Sequence, residues 1–143
     1  MSVPTRSSKP HEPGKDGVRT VKVLLIDDDE DYTAFIKRLL ARHGNVATPD
    51  IVHDEQAALK ALQSREYDVV VSDYELHPGN GLRILEQVRK IRPKAQRILL
   101  TSAPEKALKH LPNGDSLAHG VWDKRWEMAM LKDRLATLLS AVA

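Results

Sequence analysis

The sequence predicts an α/β domain in which helices cover both faces of a five-stranded parallel sheet. Short apolar runs that suit buried strands alternate with segments of helical periodicity, five times within about 120 residues. This alternation favours a doubly wound sheet, because a helix must carry the chain back before each new parallel strand. A chain of 143 residues holds one such core and is too short for a two-domain enzyme.

The first β-α pair is the clearest of the five. Residues 21–26 are a β-branched apolar run that stops at a stretch of acids, as a buried strand does where it meets a loop. The acids at 29–31 suit a helix start, because the helix dipole favours negative charge there. The periodicity predicts a helix over about 32–43, with Gly44 as its C-cap.

The other four pairs follow in the same order. Pro49 limits the second strand to the sheet edge, because proline cannot donate to a strand ladder. The predicted elements are a strand at 50–53, a helix opened by Asp54, a strand at 67–72, a helix from 82 to 92, a strand at 95–100, a helix at 104–111, a strand at 119–123 and a helix at 126–142.

Three groups of side chains receive structural interpretations. Trp122 and Trp126 are predicted to pack around the last helix, because they flank its junction with the fifth strand. Met130 is predicted to lie with the leucines on the apolar side of that helix. The bases near the end of the third helix are interpreted as a solvated face; they are Arg89, Lys90, Arg92, Lys94 and Arg97.

Charge and composition exclude several classes of function. Residues 1–20 are predicted to be a disordered arm, because they combine prolines and glycines with no apolar period, and residues 21–143 form the domain. Without the arm's four bases and two acids, the domain holds 18 of each, which argues against nucleic acid binding through phosphate attraction. The absence of cysteine excludes disulfides and thiolate sites, and no apolar run suits a membrane span or signal peptide, so we expect a cytoplasmic protein.

Polar side chains collect at the carboxyl ends of the predicted strands, the edge where doubly wound sheets bind ligands. Asp27 and Asp28 follow strand one, Asp73 closes strand three, Thr101 follows strand four and Lys124 follows strand five. Clustered carboxylates repel, and an all-oxygen ligand set favours a hard divalent cation, for which Mg²⁺ is the prediction. A phosphoryl group on one carboxylate would need that metal, an ammonium and a hydroxyl donor around it.

Two alternatives concern residues near this edge. Ser102 competes with Thr101 as the hydroxyl donor, because slippage by one residue at a strand end is common. The six histidines show no ligand spacing, and His77 is predicted to be the only one near the site, as a bystander.

The pattern resembles the receiver domain of bacterial two-component response regulators, over residues 21 to about 142. Four segments carry the resemblance, in order, at the ends of successive predicted strands. They are VLLIDDDED at 23–31, VVVSDYELHPGNGL at 69–82, ILLTSA at 98–103 and VWDK at 121–124. The resemblance implies a flavodoxin-like fold with strand order 2-1-3-4-5.

The resemblance also implies roles for the residues at the site. Asp73 would accept phosphate from a phosphohistidine of a sensor histidine kinase or histidine phosphotransfer protein. Asp28 would contact Mg²⁺ directly and Asp27 through water, with Asp73 and the backbone carbonyl of Glu75 as further ligands. Thr101 would be the switch hydroxyl and Lys124 would pair with the phosphate.

The chain departs from the family pattern at three places. Arg125 stands where the family usually has proline after its lysine. Val121 stands where receivers often carry an aromatic side chain, and Trp122 follows it. Pro112-Asn113-Gly114 breaks the fourth helix, and the usual Gly-Ala before strand five is missing, so we expect an altered output surface.

The functional hypothesis is a stand-alone receiver whose phosphorylation switches association with an unknown protein, with homodimer formation left open. It would assist its own phosphorylation and dephosphorylation, bind neither nucleic acid nor membrane, and not be an enzyme acting on a separate substrate. One alternative is a receiver-like scaffold that binds partners regardless of phosphate. The other is a Mg²⁺-dependent phosphohydrolase with Asp73 or Asp28 as nucleophile, which the short loops disfavour because they leave little sequence for a substrate pocket or a lid.

Overall fold

The computed structural model describes residues 20–111 and 117–142. Two predictions lie outside these ranges: the arm at 1–20, apart from Thr20, and the break at 112–114. Its elements are β1 (Val23–Ile26), α1 (Glu30–Leu40), β2 (Asp50–Val52), α2 (Glu55–Ser64), β3 (Val69–Asp73), α3 (Gly81–Ile91), β4 (Gln96–Thr101), α4 (Pro104–Lys109), β5 (Gly120–Asp123) and α5 (Met128–Val142). Of the helices in these ranges, none combines the length and apolar character of a bilayer span.

The five strands form one parallel sheet in the order β2-β1-β3-β4-β5, which confirms the predicted fold class and strand order. β2 lies at an edge, as Pro49 predicted. The register pairs Ile26 with Ser72, at the end of β1, and Thr101 with Asp123, at the end of β4. The carboxyl ends of the central strands therefore lie close together along one edge of the sheet.

Successive side chains of the central strands enter opposite layers, as the period of a strand requires. Val23 and Leu25 pack in the layer that holds α1 and α5, together with Ile36 and Leu135. Leu24 packs in the other layer, with buried residues of α2 and α3. β1 and β3 are buried along their whole length, which explains why both are continuous apolar runs.

The first helix begins and ends earlier than its periodicity predicted. Asp29 is its N-cap, and the side chain of Asp29 accepts a hydrogen bond from the backbone N–H of Tyr32. The helix ends at Leu40 with Ala41 as C-cap, so the prediction that Gly44 caps it is wrong. Beyond Leu40 the backbone tightens into a turn, in which the N–H groups of Arg42 and His43 donate to the carbonyls of Leu39 and Leu40, so the helix ends before Gly44.

Other predicted bounds shift by one or two residues, as element ends commonly do. The helix at 82–92 begins at Gly81 and ends at Ile91, the helix at 104–111 ends at Lys109, and the terminal helix begins at Met128 rather than Trp126. The strand at 50–53 ends at Val52, the strand at 67–72 covers Val69–Asp73, the strand at 95–100 covers Gln96–Thr101, and the strand at 119–123 begins at Gly120.

Three side-chain interpretations can be compared with the structure. Met130 is exposed, so its placement on the apolar side of the last helix is wrong. Arg97 does not belong to a solvated face, because it is buried and its Nε donates to the carbonyl of Leu117 at 2.7 Å. The tryptophans pack as predicted: Trp122 is buried against α5, and its ring centroid lies 6.3 Å from that of Trp126.

Gly81 allows the start of α3 to lie directly against the end of β3. A Cβ atom at this position would meet the backbone carbonyl oxygen of Asp73 and would lie 3.0 Å from Leu99 Cδ1. We expect Gly81→Ala to lower the free energy of unfolding by about 1–3 kcal/mol, because the helix or the strand end must shift. Urea unfolding measures this change.

Gly44→Ala is the matched control, because a Cβ there has no neighbour within 4 Å. The control should change the free energy of unfolding by no more than about 0.5 kcal/mol. Equal effects of the two substitutions would contradict the close packing of α3 on β3.

Candidate functional site

Three carboxylates meet at the carboxyl edge of the sheet. Asp27 and Asp28 follow β1 directly, and Asp73 is the last residue of β3. Each offers an oxygen atom, and these atoms lie within 4.8 Å of one another. Asp27 is fully buried and Asp73 nearly so, whereas Asp28 is exposed. Two of the three negative charges are therefore held in a place with little water to screen them.

Lys124 places its ammonium between the two buried carboxylates. Its Nζ lies 2.7 Å from Asp27 Oδ2 and 3.1 Å from Asp73 Oδ2. The backbone N–H of Lys124 donates to the carbonyl of Thr101 at 2.9 Å, which fixes the residue beside the end of β4. Three carboxylates against one ammonium leave a formal charge of −2 at the cluster if all are ionised, which matches a divalent cation.

Backbone donors hold the second oxygen of each buried carboxylate. The N–H of Asp29 donates to Asp27 Oδ1 at 3.0 Å, and the N–H of Glu75 donates to Asp73 Oδ1 at 3.1 Å. Both bonds span two residues and shape the loops that leave β1 and β3. The side-chain torsions of the two acids are thereby restricted, and their remaining oxygens face Lys124.

The ionisation of the cluster follows from burial and charge. Burial raises the pKa of Asp73 to about 7, repulsion from Asp27 adds to the rise, and Lys124 opposes it. Burial alone would lower the pKa of Lys124, but its contacts with Asp27 and Asp73 outweigh burial, so that pKa is raised. Lys124 is therefore charged at neutral pH, whereas Asp73 binds a proton readily when no metal cation is near.

Thr101 supplies a buried hydroxyl at the end of β4. Its Oγ1 accepts a hydrogen bond from the backbone N–H of Ala103 at 2.9 Å, and the hydroxyl proton is still available for donation. Ser102, the alternative donor, is exposed. The register sets Thr101 opposite Asp123, immediately before Lys124 in the chain.

The turn from β5 to α5 is closed by an ion pair between Asp123 and Arg125, the two residues that flank Lys124 in the chain. Asp123 Oδ1 accepts from the backbone N–H of Arg125 at 2.8 Å and from its Nε at 2.9 Å, and Oδ2 accepts from Nη2 at 2.7 Å. Hydrogen bonding to Arg125 lowers the pKa of Asp123. Arg125, which stands where the family usually has proline, thus stabilises this turn through its hydrogen bonds to Asp123.

Two residues at the site were missed by the sequence analysis. The ring of Tyr32 lies under Lys124, with Nζ 5.0 Å from the ring centroid. His53 lies 3.0 Å, through Nδ1, from the carbonyl oxygen of Asp27, so the prediction that His77 is the only histidine near the site is wrong. The signal for His53 was available, because it follows β2, and β2 was predicted beside β1.

The sheet order, the acids at its carboxyl edge and the lysine that joins them define the receiver class of signalling domain. A sequence model described as the response regulator receiver domain matches residues 23–136. The chain therefore belongs to the response regulator receiver family of two-component signalling.

Relatives of known name share part of the chain. The photosynthetic apparatus regulatory protein RegA of Rhodobacter capsulatus is 32% identical over 79 residues, which are 55% of this chain and 42% of RegA. The transcriptional regulatory protein TcrA of Mycobacterium tuberculosis is 31% identical over 85 residues, which are 59% of this chain and 33% of TcrA. The matched region thus spans less than half the length of either relative.

Solved structures share the fold over most of the chain. The signal receiver domain of an HD domain-containing protein from Pseudomonas fluorescens Pf-5 has a TM-score of 0.73 and 27% identity, covering 85% of this chain and 88% of that one. The response regulator TrrA of Thermotoga maritima, in complex with Mg(2+)-BeF, has a TM-score of 0.68 and 26% identity, covering 83% of this chain and 99% of that one.

The raised pKa of Asp73 predicts a dependence of stability on pH in metal-free protein. The folded pKa of about 7 exceeds the ordinary value of 3.8, so between these values the folded state binds more protons than the unfolded state. The contribution of Asp73 is therefore complete below pH 3.8 and is lost as the pH rises through about 7. Urea unfolding of wild type and Asp73→Asn in chelator, from pH 4.5 to 8, measures it.

We expect the wild type to lose stability relative to Asp73→Asn across that range. His119, whose pKa is lowered by burial and by Arg97, acts in the opposite direction, but it is present in both proteins and cancels in the difference. Parallel stability curves for the two proteins would contradict the raised pKa.

Proposed function

We propose that this receiver accepts a phosphoryl group on Asp73 in a Mg²⁺-dependent reaction, and that phosphorylation switches its association with another protein. The observation that supports the proposal most directly is the placement of Lys124 Nζ against both Asp27 and Asp73, with Asp28 beside them. This arrangement supplies a nucleophile, a fixed cation and an incompletely neutralised acidic cluster within one small volume.

The residues present suit a magnesium ion. Carboxylate oxygens are hard ligands, and Mg²⁺ binds through one or two of them while it keeps several waters. Asp28 is exposed and would reach the ion directly, whereas Asp27, buried and engaged by Lys124, would act through water. Asp73 and the backbone carbonyl of Glu75 complete the proposed ligands. When bound, the ion would neutralise charge on the phosphoryl oxygens.

Phosphoryl transfer would proceed by attack of an Asp73 carboxylate oxygen on phosphorus. The new bond joins that oxygen to phosphorus, and the bond to the donor's leaving group breaks and gives its electron pair to that group. Lys124 would pair with the transferred phosphoryl oxygens, and Thr101 would donate its hydroxyl hydrogen to one of them. The chain would thus assist its own phosphorylation and its reversal without turning over a separate substrate.

The proposed partners follow from the family. A sensor histidine kinase or a histidine phosphotransfer protein would supply the phosphoryl group from a phosphohistidine. The output would be a second protein whose affinity differs between the two phosphorylation states, because a ligand or modification shifts an equilibrium only through such a difference.

We expect Asp28→Asn to weaken Mg²⁺ binding by about tenfold or more. The attraction between a carboxylate charge and a bound divalent cation exceeds roughly 1.4 kcal/mol, the free energy that corresponds to a tenfold change in affinity. Titration calorimetry measures the affinity. Asp31→Asn is the matched control, since Asp31 is also exposed and lies three residues further along the chain, in α1. Equal Mg²⁺ affinities of the two variants would contradict the assignment of Asp28 as a ligand.

The phosphorylation itself is tested by intact mass. Wild type incubated with Mg²⁺ and acetyl phosphate should gain the mass of one phosphoryl group, and Asp73→Asn should gain none, because its amide is not a nucleophile. Asp31→Asn should gain the group as wild type does. Omitting Mg²⁺ should slow the gain strongly.

Two results would overturn the proposal in different ways. No mass gain in wild type, with acetyl phosphate or with a phosphohistidine donor, would favour a scaffold that binds partners regardless of phosphate. Steady release of phosphate from unrelated phosphoesters, with no stable mass gain, would favour a phosphohydrolase.

A further inference from the structure

The ammonium of Lys124 has a contact other than the two carboxylates. Its Nζ lies 5.0 Å from the ring centroid of Tyr32, within the range of about 6 Å over which a cation is attracted to an aromatic face. The Lys124 side chain is only 16% exposed, so this attraction is weakly screened by water. The ring and the two acids together enclose the ammonium.

The contact of Lys124 with the ring of Tyr32 would respond to the reaction differently from its contacts with Asp27 and Asp73. Asp27 and Asp73 are also the groups that a metal ion and a phosphoryl group would engage. The attraction of these two carboxylates for the Lys124 ammonium would weaken once a metal ion or a phosphoryl group also interacts with them. The ring of Tyr32 is not a ligand for a metal ion or a phosphoryl group, so its contact with the ammonium would persist while the ammonium changes partners. A lysine has a long flexible stem, and a persistent contact restricts the positions that it samples.

Tyr32 is itself held firmly in place. It lies in the first turn of α1, where its backbone N–H donates to Asp29 Oδ1 at 3.0 Å. Its ring packs 6.0 Å from that of Phe35 and lies against the core layer of α1 and α5. The hydroxyl is buried and has no hydrogen-bond partner among the residues that the structure describes. The face of the ring, rather than its hydroxyl, therefore makes the contact that matters here.

We propose that Tyr32 is a positioning residue for Lys124, whose aromatic face holds the ammonium in place during phosphoryl transfer to Asp73. The proposal rests on the proposed function, because Tyr32 acts through Lys124 on that reaction. Tyr32 lies outside the acids, the hydroxyl and the lysine that the strand ends supply, and it is brought to them by α1.

The contact is tested first without any phosphorylation. An aromatic face shifts the NMR resonances of protons above it, so the ε protons of Lys124 should resonate upfield in wild type and in Tyr32→Phe. The shift should vanish in Tyr32→Leu, which keeps an apolar side chain but has no ring. An ordinary random-coil shift for these protons in wild type would overturn the proposal.

The positioning role is tested by the rate of phosphorylation with acetyl phosphate and Mg²⁺. We expect Tyr32→Leu to be slower than wild type by about fivefold, which is within the range of a desolvated cation–π contact, and Tyr32→Phe to match wild type. Phe35→Leu is the control, because it removes the ring that packs beside Tyr32 on the same helix and leaves the ring of Tyr32 itself in place. The thermal unfolding temperature of each variant shows whether a slower rate is caused by loss of folded protein.

The outcomes separate this proposal from the proposed function. If Tyr32→Leu is no slower than Phe35→Leu, or if Tyr32→Phe is as slow as Tyr32→Leu, the positioning role of the ring is overturned while phosphorylation of Asp73 stands. If wild type itself gains no phosphoryl group, the proposed function fails, and the role of Tyr32 in it fails too. A slow leucine variant beside a normal phenylalanine variant supports the proposal.

Discussion

The bridge from Lys124 Nζ to Asp27 and Asp73 is the interaction on which the site depends. Two carboxylates at the end of neighbouring central strands repel each other, and burial strengthens that repulsion because little water is present to screen it. A charge without a partner in such a place is costly, so the folded chain needs a cation there. Lys124 supplies one at distances of 2.7 and 3.1 Å. The sheet order that places β1 next to β3 therefore creates a repulsion between carboxylates, and Lys124, the residue after β5, offsets it.

The single ammonium of Lys124 does not neutralise all three carboxylates of the cluster. With Asp28 beside the buried pair, the cluster has a formal charge of −2 when all its acids are ionised. Burial and, after it, repulsion from Asp27 raise the pKa of Asp73 to about 7, so a proton is one way to reduce the negative charge. A divalent cation is another, and a cation would leave the carboxylate of Asp73 ionised and able to act as a nucleophile.

Most of the sheet and the acidic edge could be predicted because strong local patterns encode them. Continuous apolar runs at β1 and β3 mark strands buried on both faces, and the residues that follow parallel strands must meet at one edge. Helix ends were less predictable: Gly44 looked like a C-cap, yet α1 ends at Leu40 and the chain continues in a tight turn. Tyr32 and Arg97 were missed for a related reason. A ring that packs on a distant lysine and an arginine buried against backbone carbonyls depend on contacts between elements, which no local pattern contains.

We propose that Asp73 belongs to a buried, incompletely neutralised cluster that a divalent cation completes. The most direct measurement is the carboxyl ¹³C resonance of Asp73, followed by NMR as a function of pH with chelator and again with saturating Mg²⁺. We expect a titration near pH 7 in chelator and a shift of that titration to lower pH with Mg²⁺. Titration near the ordinary value of 3.8 in chelator, unchanged by Mg²⁺, would contradict it.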